Sequence, residues 1–441
     1  MRKPGFRLLA IVCAWAAGAM SATPASAELI GHGGPVRSIA VSSDGAMALT
    51  GSFDYSLMLW DLRGARALHR MTGQDAAVGA VAFVGPDRLV SGSDDGTLAL
   101  WDRATGALIL RKPAHSGKVS ALAISADGAV IASAGWDRSV RLWRAGDLSP
   151  VASIETAENV NALVITPDGA LAGGGYDAGL RLWDPRSAAE IAALTGHEAG
   201  INALLALPDG RLVSASSDRT VRLWDVTARA EAGVLLGAEA AVLSLSAASD
   251  GRWIAAGDAA GFLTVWDASG KPFRRWQAHG GPVWALAAAG AQLLSAGADG
   301  LVRNWTILGD GPTGEDIRAD GAPLAALSGS TDPGARLFAK CAACHTLTPE
   351  GGNKAGPTLY GLFGRRAGTV ADYPYSPALR NSAIVWTEHT VDRLFALGPQ
   401  EVTPGSKMPL QRMPDASERA ALIAYLQRTT RTQGDGEGQA Q

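Results

Sequence analysis

The sequence predicts a ring of seven small antiparallel sheets followed by a separate, smaller domain, and three observations predict it. Seven tryptophans, Trp60, Trp101, Trp143, Trp183, Trp224, Trp266 and Trp305, each close a short apolar strand pattern such as "LMLWD" or "VRLWD", and they recur every 39 to 42 residues. Between them, short runs alternate apolar and polar residues and are punctuated by Gly and Asp-Gly turns, as antiparallel strands joined by tight turns require. After Trp305 the periodicity stops and the composition shifts to Gly, Ala, Asp and Pro. One such sheet cannot bury both of its faces, whereas seven stacked radially bury one another.

Residues 1–27 read as a secretory signal peptide: Arg2, Lys3 and Arg7 precede an apolar run from Leu8 to Met20, and small residues close it at Ala25-Ser26-Ala27. The run is about 13 residues, short of the roughly 20 that a membrane-spanning helix needs, so no stable membrane anchor is expected. Cleavage after Ala27 would release the mature chain into the periplasm and leave Cys341 and Cys344 as its cysteines, since Cys13 is the only other one. Hydrophobic residues make up 47% and charged residues 18%, which describes a globular chain with ample core. A formal net charge of −3 gives no reason to expect nucleic acid. We expect a monomer.

Within each repeat the pattern runs His-x-x-x-Val, a strand, Asp-Gly, a strand ending in small residues, an Asp, and then the Trp strand. These features closely resemble the WD40 family over residues 28–308, and the resemblance implies a seven-bladed β-propeller in which His, Ser or Thr, Asp and Trp are hydrogen-bonded within a blade. The set is fullest as His115, Ser133, Asp137, Trp143; His197, Ser214, Asp218, Trp224; and His279, Ser295, Asp299, Trp305. Blade one offers His32, Asp54 and Trp60 with Thr50 or Ser52; blades two, four and six lack the histidine and should be less rigidly tied. The chain leaves the ring after the third strand of blade seven, so "AELIG" at the mature N-terminus is expected to supply the fourth and close the circle.

Family members often bind partners on the face bearing the loops between second and third strands. There the residues before each blade's Asp include Phe53, Asp94, Trp136, Tyr176, Ser217 and Ala298, and Arg37 and Trp284 should point the same way. An aromatic cluster of Arg37, Phe53, Trp136, Tyr176 and Trp284 suits a protein-docking patch. Ordinary blade packing accounts for the same residues equally well.

Residues 309–332 read as a flexible linker, whose 24 residues would span roughly 25 to 30 Å. Beyond it stands "FAKCAACHTL", in which Cys-x-x-Cys-His is an attachment sequence for c-type haem: two thiols bond the porphyrin and the histidine ligates its iron. A zinc site would need a second Cys/His pair, which the sequence lacks. From "PGARLFAKCAACHTL" to "ERAALIAYLQ" the chain resembles class I cytochrome c of the mitochondrial and bacterial short-chain type. The matching pieces are Gly334, Phe338, "AGPTLYGLFGRRAG", Tyr375, Trp386, "PGSKM" and "LIAYL".

That resemblance implies an all-α domain over 333–430, a disordered tail at 431–441, and one haem c held covalently by Cys341 and Cys344. His345 and Met408 would be its axial ligands, with Met413 the competing sulfur. The Pro357 carbonyl would fix the His345 ring, and Arg365, Tyr375 and Trp386 would surround the propionates. Gly334 would let the first helix approach the last. The family tyrosine near the methionine is replaced by Leu394 or Phe395, and the stretch before "PGSKM" is one residue longer than in close relatives.

An iron with both axial positions filled moves electrons and leaves no site for substrate, so no catalytic residue is assigned. The expected function is a periplasmic electron-transfer protein whose propeller docks a redox partner protein: a dehydrogenase, a reductase or a terminal oxidase. The alternative is an oxidoreductase whose propeller binds a second cofactor or substrate and passes electrons to the haem. Residues 28–310 hold 23 basic and 29 acidic side chains, and residues 331–431 hold 12 and 8. These opposite signs permit the domains to dock on one another, or the haem domain to seek an acidic partner.

Overall fold

The computed structural model describes residues 26–64, 66–308, 317–318, 330–338, 341–342, 345–349, 356–371, 373, 375, 377–403, 408 and 413–430. Most of the expected signal peptide and linker, the tail, Cys344 and the residues leading into Met408 lie outside them.

Seven antiparallel sheets form the ring, six of them four strands in simple up-and-down order. The third strand of a blade is enclosed by neighbouring blades on both faces, so Ser56–Asp61 is buried along nearly its whole length and reads as a continuous apolar run. Outer strands such as Glu190–Leu194 are largely exposed, and there the sequence turns polar or small. Each blade's tryptophan packs against the preceding blade: Trp60 against Leu294, Ala296 and Val302 of blade seven, Trp101 against Leu49, Leu57 and Leu59 of blade one. Truncating such a side chain to alanine costs on the order of 3–5 kcal/mol.

Closure follows the expected route. Ser26–Ile30 pairs antiparallel with Val302–Thr306, Ser26 opposite Trp305 and Leu29 opposite Val302, so the N-terminal strand is the fourth strand of blade seven. The strand begins two residues ahead of the expected cleavage point. The linker segment is not wholly without secondary structure: Ile317–Arg318 adds a fifth strand, parallel to the first, with Ile317 beside Leu29 and Arg318 beside Ile30. Ile30 leads directly into the 31–35 loop, so the linker climbs back to the end of the ring that holds this loop.

A recurring irregularity positions the functional face. In all seven blades the innermost strand shifts register after its opening Val or Ile, between Val36 and Ser38, Val119 and Ala121, Val160 and Ala162, Val283 and Ala285, and likewise elsewhere. Such a bulge leaves one residue outside the ladder and re-aims its side chain. The residues so released include Arg37, Asn161 and Trp284.

The C-terminal domain is built from helices at Pro333–Phe338, Pro377–Arg380, Glu388–Leu397, Pro399–Val402 and Ala416–Thr429. Thr387 and Thr390 cap the start of the third reciprocally, and Asp415 accepts the Ser417 and Glu418 N–H groups at the start of the last. Gly334 is required where first and last helices cross, because a Cβ there would lie 2.2 Å from the Ala421 carbonyl oxygen. Phe338 and Tyr425 stack across the crossing with ring centres 5.6 Å apart.

Candidate functional site

In the C-terminal domain two backbone hydrogen bonds set the positions of Cys341 and His345. The Cys341 N–H donates to the Phe338 carbonyl and the His345 N–H to the Cys341 carbonyl at 2.9 Å, so Cys341 and His345 share one side of the turn that the second bond closes. His345 Nδ1 lies 2.7 Å from the Pro357 carbonyl oxygen. A carbonyl only accepts, so Nδ1 carries the proton and Nε2 keeps its lone pair for a metal. Gly356 backs the ring closely: a Cβ there would meet His345 Cε1 at 2.3 Å. Met408 and Met413 are both half-buried against the core that contains Phe338, Leu362, Phe395 and Leu422. Met413 is also tied through its N–H to the Phe395 carbonyl.

The residues placed around the propionates come together. Arg365 donates to the Tyr360 carbonyl at 2.6 Å and the Thr358 carbonyl at 2.7 Å. Burial holds its guanidinium below the ordinary arginine value, with Tyr375 close enough to act on it. Burial likewise raises the Tyr375 hydroxyl. Trp386 is fixed by its backbone, donating to the Arg365 carbonyl at 2.9 Å and accepting from Gly364 at 2.8 Å. Among the described residues no carboxylate pairs with Arg365. A half-buried guanidinium with no carboxylate partner among the described residues, near a histidine held with its proton on Nδ1 and an apolar wall, fits a haem with its propionates.

On the propeller, the face bearing the 53–55 loop gathers side chains from five blades. The Arg37 guanidinium lies over the Trp284 ring, 4.3 Å from its centre, and the Lys118 ammonium 3.3 Å from the centre of Trp136. Trp136 meets Tyr176 edge-on at 5.6 Å and donates from its indole N–H to Asn161 Oδ1 at 3.1 Å. Asn161 in turn donates to the Ile201 carbonyl at 3.2 Å. Burial raises the Asp94 carboxyl above its ordinary value even though Lys118 and Arg37 act against it. Phe53 stands in the same row of turns, half-buried, and joins neither ring pair. Lys118 escaped the sequence reading because the residue before the opening Val or Ile differs from blade to blade, so the repeat pattern does not single it out.

The propeller histidines serve the blades. In blade three Trp143 donates to Ser133 Oγ at 2.9 Å, Ser133 lies 2.7 Å from His115 Nε2, and His115 Nδ1 lies 2.9 Å from Asp137. The chain of donors runs from indole to hydroxyl to imidazole to carboxylate, which needs a neutral ring protonated at Nδ1. Burial lowers the His115 and His197 pKa values despite their aspartates. In blade one the hydroxyl is Thr50.

Blade two corrects the expectation of looser binding there: Gln74 donates to Ser91 Oγ at 2.8 Å and accepts from Thr97, while Trp101 donates to Ser91. An amide offers the same donor and acceptor reach as the ring it replaces. In blade six Trp266 donates to the Leu236 carbonyl instead, and one Asp258 oxygen has no partner. Among the described residues no group of three or more His, Cys, Asp or Glu is placed to hold a metal ion.

Comparison with known proteins follows this division. The family described as WD domain, G-beta repeat matches at 25–61, 65–102, 106–144, 148–184, 189–225, 231–267 and 270–306, and the family Cytochrome c matches at 331–430. Cytochrome c of Nigella damascena is 43% identical over 104 residues, covering 23% of this chain and 93% of that protein. Cytochrome c of Sesamum indicum is 44% identical over 103 residues, covering 23% and 92%. The domain therefore carries covalently bound haem c and transfers electrons through it. The chain belongs to the WD-repeat family over its first seven-tenths and to the cytochrome c family over its C-terminal domain.

Proposed function

We propose that the mature chain is a periplasmic one-electron relay in which His345 and Met408 are the axial ligands of a haem attached at Cys341 and Cys344, and in which the propeller docks the redox partner protein. The observation that carries this reading is the His345 Nδ1 contact with the Pro357 carbonyl at 2.7 Å, which reserves Nε2 for iron. The haem supplies a reversible ferric/ferrous couple. Met408, a soft thioether, favours the ferrous state and raises the potential over a second imidazole. Arg365 and Tyr375 hold positive charge and a hydroxyl where the propionates belong, while Trp386 and the apolar wall exclude water. Docking is supported by Arg37, Trp136, Tyr176 and Trp284, which cluster on one face with Phe53 in the adjoining turn.

Substituting each methionine tests the ligand set. Met408→Ala should abolish the sulfur-to-iron absorption of the ferric protein and lower its reduction potential, while Met413→Ala leaves both in place; the reverse pattern moves the ligand to Met413. A photo-crosslinking residue at Tyr176 should yield an adduct with the partner protein, and one at Ser187, in a turn on the opposite face, should not. Equal adducts from both positions would remove the docking role. The N-terminal sequence of protein recovered from the periplasmic fraction should begin at Glu28.

A further inference from the structure

The chemistry of the docking face singles out one kind of guest, an inference that rests on the docking reading above. The two cations at the mouth of the ring are held but not neutralised. Among the described residues, no hydrogen bond or ion pair engages the Arg37 guanidinium or the Lys118 ammonium; each lies instead over an indole ring. Both are half-buried, and burial pulls each below its ordinary pKa. Asp94 is the one acid within electrostatic reach of both cations, so the three together leave one positive charge. The mouth therefore has a net charge to be matched and guanidinium donors to be filled.

The sign of the guest follows from which surfaces remain free. An aromatic cluster beside an aspartate would attract a cation if the ring faces were open. Here one face of Trp284 and one of Trp136 already carry the chain's own Arg37 and Lys118, so the mouth presents N–H donors beside these rings. The arrangement is also stiff before anything binds. The bulge fixes the backbone at Arg37, and the Trp136 indole is pinned through Asn161 to the Ile201 carbonyl. A planar guanidinium stacked on a ring presents its donors as a fork that fits a carboxylate with two parallel hydrogen bonds. Beside the cations, Trp136 and Tyr176 are 37% and 53% exposed and supply apolar contact that a bare inorganic ion would not use.

We propose that the mouth of the propeller between Arg37, Lys118, Trp136 and Tyr176 is a carboxylate-reading site, and that its guest is an acidic segment of the partner polypeptide. One carboxylate meets the Arg37 fork, a second lies near Lys118, and the segment rests on the exposed edges of Trp136 and Tyr176.

The test uses the full-length, haem-loaded protein at low ionic strength and three fluorescein-labelled peptides of equal length, rich in Glu, in Gln or in Lys. Anisotropy should show saturable binding of the Glu peptide at least about tenfold tighter than of either control, as a charge-assisted contact implies. Arg37→Gln and Lys118→Gln should each weaken it by about tenfold and Trp136→Ala measurably, with the haem spectrum and melting temperature unchanged. Equal binding of the Glu and Gln peptides overturns the proposal. So does undiminished binding by the Arg37→Gln/Lys118→Gln double variant, which would assign the acidic peptide to the basic haem domain. Displacement of the peptide by inorganic phosphate at equal concentration removes the polypeptide as the intended guest. Sequencing the partner peptide crosslinked at Tyr176 separates the two claims. An acidic segment supports both; a neutral or basic one overturns the carboxylate reading and leaves docking standing; no adduct overturns docking itself.

Discussion

The propeller and the haem domain answer the same difficulty in opposite ways. A single blade cannot bury both faces of its sheet, and it is completed by its neighbours: each of the seven repeat tryptophans fills a space against the preceding blade, and the N-terminal strand Ser26–Ile30 makes the last blade whole. The haem domain has no such neighbours. Its longest helices are 10 and 14 residues, and many of its large apolar side chains, among them Leu359, Phe363, Trp386 and Met408, are only partly buried against its core. Repetition stabilises one region and a covalently attached cofactor stabilises the other. The two should therefore fail independently.

The largest expected effect breaks that comparison outright. Replacing Cys341 and Cys344 together by Ser should remove haem staining from a denaturing gel and the cooperative melting of the haem domain, as followed by helical circular dichroism. The propeller transition should stay where it was; a common collapse would show that the regions stabilise one another. Next, Leu29→Ala in the closing strand, a fully buried side chain, should cost about 2–5 kcal/mol in propeller stability by denaturant titration. The ferric spectrum should not change. Gly334→Val acts on the other region: the added atoms would meet the Ala421 carbonyl and Tyr425. It should cost about 1–3 kcal/mol in the haem-domain transition alone.

The smallest effect sharpens the comparison through pH. Burial lowers the folded pKa of His115 and His197 below the ordinary histidine value of about 6.5, so on acidification the unfolded chain takes up protons first. Their contribution is full above about pH 6.5 and is lost as pH falls below it. Burial would raise Asp299, but hydrogen bonding from His279 and the charges of His279 and Arg303 outweigh it and hold the carboxyl at about 2, against 3.8 unperturbed. Its contribution is present above about pH 4 and is lost as pH falls through about 2. Melting temperature should thus decline in both windows. Blade two already uses Gln74 where these blades use histidine, so the His115→Gln/His197→Gln variant should flatten the upper window, while the Asp299 share of the lower one, held by His279 and Arg303, persists.

Much of this was legible because it repeats. Seven tryptophans at near-constant spacing specify the ring, and Cys-x-x-Cys-His with its downstream pieces specifies the cofactor. What escaped is what does not repeat. Gln74 substitutes for histidine by hydrogen-bond geometry and not by residue type, so blade two read as loose when it is tied. Trp266 satisfies its N–H on the Leu236 carbonyl, a partner that no side-chain pattern can reveal. Lys118 joins Trp136 across loops of one blade, and Arg37 meets Trp284 across the seam between first and last blades, a contact that only ring closure creates. The face was legible as a row of positions; the pairing of each cation with an indole was not.

The short strand Ile317–Arg318 changes the leash on the haem domain. Because it is pinned beside Leu29 and Ile30, only residues 319–332 separate the pinned point from the helix that starts at Pro333. Fourteen residues can span at most about 50 Å, against about 85 Å for the 24 residues of the expected tether, so the pinned strand shortens the reach of the haem domain from its anchor. The anchor also sits at the end of the ring that carries Arg37 and Trp136, so the haem domain is leashed from the same end as the face proposed to dock the partner.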